Sequence, residues 1–484
     1  MSNKKSKMQN IKRLSDVDHV LLRPDTYGGS LHPVEWENTY LSTSGGHNLE
    51  VIPMMYKMFD EILVNARDNI SRGKTTKIDV SLRPTGFHIS NDGKPIPISK
   101  NKEEKMWNPT LAFGYLRTSN NYDDSEERLT GGRNGYGAKL TNIFSKTFRI
   151  RIWDKRRGKT FDQTWTDNMK KTLPPTIEYG SGINQTWIKS EIDLPRFNCH
   201  QIPHDTMEMM KQRVRDVAVC SKAKITLNGE TVDSNLDDYL SHLCEEVIFR
   251  QENKRWKVVV GVSKGEFTQQ SFVNGIWTRK GGTHVDYIRK QIIKQLEPLQ
   301  KKLKLKARNI RNNLCIFVSC DLVNPTFDSQ MKESCTLPVN KFGSEFKVQK
   351  AFATAAKTNT LFMNKLEALS SKKEDRLLSK NDGRKSSNVN VLKLTDARKA
   401  GTSESKNCTL ILTEGDSANA LALAGMAVVG SKYYGSFPLK GKILNGYTAG
   451  TDKWSKNAVI TDVIKSLGLK HGKKYTNTNE LRYG

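Results

Sequence analysis

The chain has 484 residues, more than one compact core usually holds, so about two to four domains are expected. It carries 78 Lys+Arg against 51 Asp+Glu, a formal net charge of +27, which favours a polyanionic partner, nucleic acid ahead of an acidic membrane. No apolar run is long enough to span a bilayer, the first residues are basic without a signal-peptide core, and the seven cysteines form no CxxC pair, so an intracellular, non-membrane protein with free thiols is expected.

Residues 11 to 31 read as a short helix ending in the turn Arg23-Pro24-Asp25-Thr26-Tyr27-Gly28-Gly29. The next helix holds Met58, Phe59, Ile62, Leu63 and Ala66 on one apolar stripe and Glu61, Asn65 and Asn69, each four apart, on a polar one. A carboxylate there can take a proton from water, and an amide four residues on can ligate a hard cation such as Mg2+. An ordinary amphipathic helix with a polar edge would show the same spacing. Lys77–Leu82 and Phe87–Ser90 alternate as two hairpin strands, followed by Asn91-Asp92-Gly93-Lys94-Pro95, a turn in which a small polar side chain can meet a planar ligand edge.

Thr130-Gly131-Gly132-Arg133-Asn134-Gly135-Tyr136-Gly137-Ala138-Lys139 then runs into a helix. Its glycines expose backbone N–H groups, and Lys139 adds a point charge, as a polyphosphate requires. Neither a Walker A loop nor a dinucleotide fingerprint fits the spacing: Trp153 stands where Gly158-Lys159-Thr160 would need its first glycine, and the glycine-rich stretch lacks the third fingerprint glycine.

Strands are expected at 148–153 and 185–188, a helix at 206–220, and a hairpin at 224–232 around Asn228-Gly229. A second domain opens with strands at 256–262 and 271–277, then Lys280-Gly281-Gly282-Thr283-His284 leading into a helix. Lys301, Lys302, Lys304 and Lys306 crowd one basic run, either a solvated face or a surface for backbone phosphates. After a strand at 314–319 comes Gln330-Met331-Lys332. The polar stretch 370–407 reads as helix end and linker. The apolar strand expected at Cys408–Thr413 then ends in Glu414-Gly415-Asp416-Ser417, where a carboxylate at a strand end suits a divalent metal and Asp416 or Ser417 equally suits a helix cap. Cys199, His200 and His204 lack a second ligand pair and read as structural.

Glu61 with Asn65, the Asn91-Asp-Gly-Lys turn and the glycine-rich loop resemble the Bergerat (GHKL) nucleotide fold of gyrase, Hsp90-type chaperones, histidine kinases and MutL. Within that group TGGRNGYGAKLTNIF and Leu116–Asp124 are similar to the ATPase region of eukaryotic-type type IIA DNA topoisomerases, FVNGI with KGGTHVDYI to their transducer domain, and EGDSA with Phe437–Asn445 to the start of their TOPRIM domain. Pro95 and Met331 depart from that pattern, which usually has Gly and Thr there.

The resemblance implies an α+β chain: an N-terminal strap (1–30), a GHKL ATPase domain (31–235), a transducer domain of ribosomal-S5-like fold (236–385), a linker (386–407) and the N-terminal part of a TOPRIM α/β domain (408–484). It implies ATP and Mg2+ as ligands, with Glu61, Gln330 and Lys332 catalytic. Asn65, Asn69, Asn91, Thr118, Ser119, Asn120, Asn121, Arg133, Asn134, Gly135, Tyr136, Gly137, Ala138 and Lys139 would hold nucleotide, joined by Tyr27 reaching a partner's site. Asn65 and Glu414 are the metal expectations, and Lys301, Lys302, Lys304 and Lys306 the DNA ones. A homodimer closing on duplex DNA follows, with the cleavage part in the same protein or a separate subunit. A Hsp90- or MutL-like ATPase and a non-catalytic DNA-binding protein are the rival readings.

Overall fold

The structure, a computed structural model, describes residues 13–41, 45–71, 75–118, 127–132, 135–441, 443–445 and 449–484. It forms two compact units, Met1–Gln300 with Lys306–Met363, and Lys301–Leu305 with Asn364–Gly484. Among the described residues no helix is long and apolar enough to cross a membrane.

The first unit opens with helix α1 (Asp16–Leu22), started by Ser15, whose hydroxyl accepts from Asp18 N. Val20 is fully buried in the main core, and Val17, Leu21, Tyr27 and Leu31 pack on it. From residue 13 on, the segment expected as a strap thus packs on the core of its own chain. Val17, Val20 and Leu21 share one helical face, and that apolar stripe is enough to dock the segment.

A hairpin of β1 (Val34–Leu41) and β2 (Gly45–Val51) leads into α2 (Pro53–Ser71). Next come β3 (Lys77–Arg83), β4 (Gly86–Asn91), α3 (Asn108–Gly114), α4 (Gly137–Ile143), β5 (Ser145–Asp154), β6 (Lys159–Thr166), β7 (Lys171–Thr172), β8 (Thr176–Tyr179), β9 (Gln185–Ile192), α5 (His204–Cys220), β10 (Lys224–Leu227) and β11 (Glu230–Thr231). The nine strands order as β11-β10-β3-β4-β9-β5-β6-β7, with β8 also on β6, and only β10 runs parallel to its neighbour β3. Burial alternates residue by residue along β9, as a sheet with one covered face requires. The covering layer is α2, α4 and α5, and Met58, Phe59, Ile62 and Leu63 of α2 are essentially buried in it.

The chain continues through α6 (Leu236–Leu243), β12 (Glu246–Glu252), β13 (Trp256–Val262), β14 (Thr268–Val273), β15 (Ile276–Trp277), α7 (Thr283–Gln295), α8 (Glu297–Lys302), α9 (Ala307–Asn312), β16 (Leu314–Cys320), α10 (Ala351–Thr358) and α11 (Thr360–Leu378). Its five strands order as β12-β13-β16-β14-β15. The single strand expected at 271–277 is instead a tight hairpin, because Asn274 (φ 50°) and Gly275 (φ 73°) both turn left-handed. No gap opens near residue 235. Trp36, Tyr56 and Met209 share one core with Phe272, Phe317 and Trp277. Arg213 adds a buried bridge, its Nε on Asp60 Oδ1 at 2.7 Å and its Nη2 on the Gly275 carbonyl.

In the second unit β17 (Thr409–Thr413) and β18 (Tyr434–Pro438) pair in parallel around α12 (Asp416–Val429), followed by α13 (Thr451–Lys456) and α14 (Ala458–Leu467). The segment 386–407, expected as a linker, is built into this unit. Thr395 and Ser436 exchange backbone hydrogen bonds of 2.9 and 2.8 Å, and Ala397 and Ala400 are buried with Cys408 and Tyr483. The fully buried Arg482 binds Asp396 and the carbonyls of Ser386 (2.7 Å) and Ser466 (2.8 Å). Polar composition alone suggested a linker, but side chains from far along the sequence supply the partners that order it.

Candidate active site

A cavity of about 760 Å3 lies in the first unit beside α2. Glu61, Asn65 and Asn69 line it from one helical stripe, as four-residue spacing dictates. Asn91, Thr118, Gly135, Tyr136, Gly137, Ala138, Lys139, Gln330 and Lys332 complete the gathering of candidate residues on its wall. Ser119, Asn120, Asn121, Arg133 and Asn134 lie outside the described residues. Tyr27 does not line the cavity; its ring sits 5.8 Å from that of Tyr136 in its own chain, and its hydroxyl lies 3.0 Å from His19 Nδ1.

Glu61 is only 4 % exposed, yet it is ionised by its neighbours. Its Oε1 takes Lys57 Nζ at 2.9 Å and Lys332 Nζ at 3.1 Å. Burial pushes the carboxyl up, but the ammonium groups of Lys332 and then Lys57 outweigh it and hold the pKa down to about 2. The other carboxylate oxygen faces Gly137, where a Cβ would collide with it, so the loop glycine is needed for close approach as well as for its amide. Lys57 went unnoticed in the sequence, although it stands one turn before Glu61 on the same stripe.

Lys139 is buried to 4 % exposure and donates to the Thr118 carbonyl at 2.7 Å. Burial lowers its pKa to about 8. Asn91 Oδ1 accepts from Asn69 Nδ2 and from Gly93 N, both at 3.2 Å, which fixes its amide plane. Asp92 turns away from the cavity, accepting from Thr76 N at 2.9 Å and Lys77 N at 3.0 Å. Asp68, also missed, accepts from Gly131 N and Gly132 N at 3.1 to 3.3 Å and so holds the start of the glycine-rich loop against α2. Pro95 forms part of the wall.

The donor set fits a nucleotide triphosphate with a divalent cation. Asn65, exposed on the cavity side of α2, offers a hard oxygen, the loop offers amides, and Lys139 and Lys332 offer positive charge.

The remaining candidates fall elsewhere. Glu414 is exposed at the end of β17, and Asp416 pairs with Lys393 at 2.7 and 2.9 Å. Neither Asp416 nor Ser417 caps α12, which starts from Gly415 without a side-chain cap. Among the described residues no three His, Cys, Asp or Glu side chains gather as a metal group, either around Glu414 or around Cys199, His200 and His204. Lys301 and Lys302 are exposed in the last turn of α8, and Lys306 is exposed just before α9. Lys304, also exposed, has its ammonium 3.8 Å from Glu374.

A family model described as DNA gyrase B matches residues 209–385. DNA topoisomerase 2 of Candida glabrata is 39 % identical over an alignment of 518 residues covering 100 % of this chain and 37 % of that protein. DNA topoisomerase 2 of Saccharomyces cerevisiae is 40 % identical, covering 98 % of this chain and 36 % of its own length. The chain thus spans just over a third of the length of these curated relatives. The crystal structure of the ATPase region of Saccharomyces cerevisiae topoisomerase II aligns at 36 % identity with a TM-score of 0.70, over 75 % of this chain and 98 % of that one. The ATPase and transducer domains of DNA topoisomerase II from Balamuthia mandrillaris align at 38 % identity with a TM-score of 0.72, again over 75 % of this chain and 98 % of that one.

Proposed function

The chain belongs to the DNA topoisomerase II family, and on that premise we propose that it is the ATP-operated clamp of such an enzyme, binding and hydrolysing ATP with Mg2+. The observation that carries this reading is the meeting of a buried carboxylate, Glu61, with the phosphate-suited loop ending at Lys139 and with Lys332 from the second sheet's side.

Glu61 is the base that takes the proton from the attacking water, and Asn91 reads the adenine edge. Lys139 and the loop amides hold the phosphates, while Lys332 and Gln330 report the terminal phosphate to the transducer. Asn65 would hold Mg2+, which would supply charge neutralisation for the phosphates. Glu61 with both lysines on one oxygen is a weak base. Transfer of Lys332 from the carboxylate to the γ-phosphate removes one of the two cations that depress it, and so raises its basicity as substrate arrives. That exchange also moves the loop 324–333, which gives the ATP and ADP states different interdomain angles.

The wider role rests on the same family. Two copies close on duplex DNA, and passage through a break made by the remaining TOPRIM and cleavage parts follows, with residues 408–484 as the start of the TOPRIM domain. Lys301, Lys302, Lys304 and Lys306 contact DNA phosphates in this reading. No aromatic residue is interleaved with them, which suits duplex backbone rather than stacked single-stranded bases. An assay of Mg2+-dependent ATP turnover with and without duplex DNA tests the proposal: turnover stimulated by DNA is expected, and no turnover in either condition would overturn it. In the same assay, changing the four lysines to Ala is expected to lower DNA stimulation and to flatten the log-log salt dependence by up to about 0.9 for each phosphate no longer neutralised.

A further inference from the structure

The glycine-rich loop has a second anchor besides the first domain. Its stem, residues 128–132, is held on one side by α2 and on the other by three pieces of the transducer. On the α2 side, the buried Asp68 takes the amides of Gly131 and Gly132. On the other, Arg128 and Asn324, just after β16, make a reciprocal pair: Asn324 N donates to the Arg128 carbonyl at 3.0 Å, and Arg128 N donates to Asn324 Oδ1 at 3.3 Å. Asn274, in the β14–β15 turn, donates from Nδ2 to the Thr130 carbonyl at 3.4 Å while the same amide is pinned to Leu322 N and O at 2.7 and 2.9 Å. Gly131 lies so close to β15 that a Cβ there would stand 2.6 Å from Ile276 Cδ1.

These contacts share one physical feature. At Arg128 and Thr130 the stem's backbone groups find their partners on Asn324 and Asn274 of the transducer, so the stem's position follows the transducer as well as α2. Asn324 (φ 45°) and Asn274 (φ 50°) both sit in the left-handed region, where the backbone turns sharply enough to aim the amide at the stem.

We propose that Asn324 and Asn274 are positioning residues for the nucleotide lid: the transducer holds the stem of the phosphate-binding loop in place, a coupling route separate from Lys332. This rests on the nucleotide-site reading above. It places the dependence on the phosphate end of the ligand, because Asn91 at the opposite end of the site is fixed by Asn69 and Gly93 and touches none of these groups.

The test uses the full chain and calorimetric binding of two probes, the non-hydrolysable β,γ-imido analogue of ATP and AMP. Asn324→Gly removes the side chain while tolerating the left-handed φ, and Asn324→Asp keeps both the φ and an acceptor oxygen for Arg128 N. Asn324→Gly is expected to weaken the triphosphate about tenfold, the size of one hydrogen bond, and AMP by less than about twofold. Asn324→Asp should stay within about twofold of the wild type for both. Hydrogen exchange at the Gly131 and Gly132 amides should quicken in Asn324→Gly while that along β16 stays unchanged. Equal losses for the two probes, or no loss, would overturn the proposal. A wild type that binds neither probe would overturn the nucleotide-site reading itself, whereas wild-type binding with Asn324→Gly indistinguishable from it would overturn this proposal alone.

Discussion

Helices α2 and α12 are both apolar stretches with an acid on or beside them, and they end in opposite circumstances. In α2 the core face is closed by the nine-stranded sheet, α4 and α5, and Glu61 is buried against two ammonium groups. In α12 only Asn419 and Met426 are buried, Leu421, Val428 and Val429 are 79, 88 and 67 % exposed, and Glu414 and Asp416 face solvent. Hydrophobic sequence offers a face for burial, but burial itself needs elements to cover it. A carboxylate likewise becomes chemically special only where burial and fixed charges meet.

The largest contrast is catalytic. Glu61→Ala is expected to lower ATP turnover by about 10² to 10⁴ while ATP still binds, whereas Glu414→Ala changes turnover by less than about twofold. Steady-state rates beside equilibrium binding check both, and surviving turnover in Glu61→Ala would remove it as the base. Packing sharpens the same comparison. Phe59→Ala, in the closed face of α2 against Phe87 (ring centroids 5.3 Å apart), should cost about 3–5 kcal/mol of unfolding free energy. Val428→Ala on α12 should stay within about 0.5 kcal/mol. Urea unfolding read at each site separates them, and equal losses would break the comparison.

Lys332→Met probes the buried carboxylate itself. Losing one of its two cations should destabilise the nucleotide-free protein by about 1–3 kcal/mol. Glu61's carboxyl, lowered from 4.5 to about 2, gives stability that is present above about pH 4.5 and lost as pH falls toward 2. With Lys332 gone its folded pKa rises toward the ordinary value, so stability should fall less steeply with acid across that window. An unchanged slope in acid titrations would mean that Lys332 does not hold Glu61 in solution. The smallest effect is a proton count. With Lys139 lowered to about 8 by burial, bringing a triphosphate beside it favours the charged form, so ATP binding at pH 8 should take up roughly half a proton. Calorimetry in buffers of different ionisation heat reads this, and Lys139→Met should abolish it.

The stripe of Glu61, Asn65 and Asn69 was legible because helix period alone places residues four apart on one face, and the loop glycines were legible because few other residues free so many amides. Asn228-Gly229 was read as a turn from the same chemistry that breaks 271–277 at Asn274-Gly275, where strand-like neighbours on both sides hid it. The core around Val20 and the ordering of 386–407 were not legible, since short apolar stripes and polar runs are judged by what meets them. Residue type and spacing by themselves determined which groups this chain could bring to one place: a carboxylate with an amide, a phosphate-suited loop, a basic run. Only the tertiary structure decided the state of those groups, because the charges that set Glu61, Lys332 on one side and Lys57 on the other, act through distance and burial. Lys332 is 271 residues away along the chain, and no local pattern records that it lies 3.1 Å from the carboxylate.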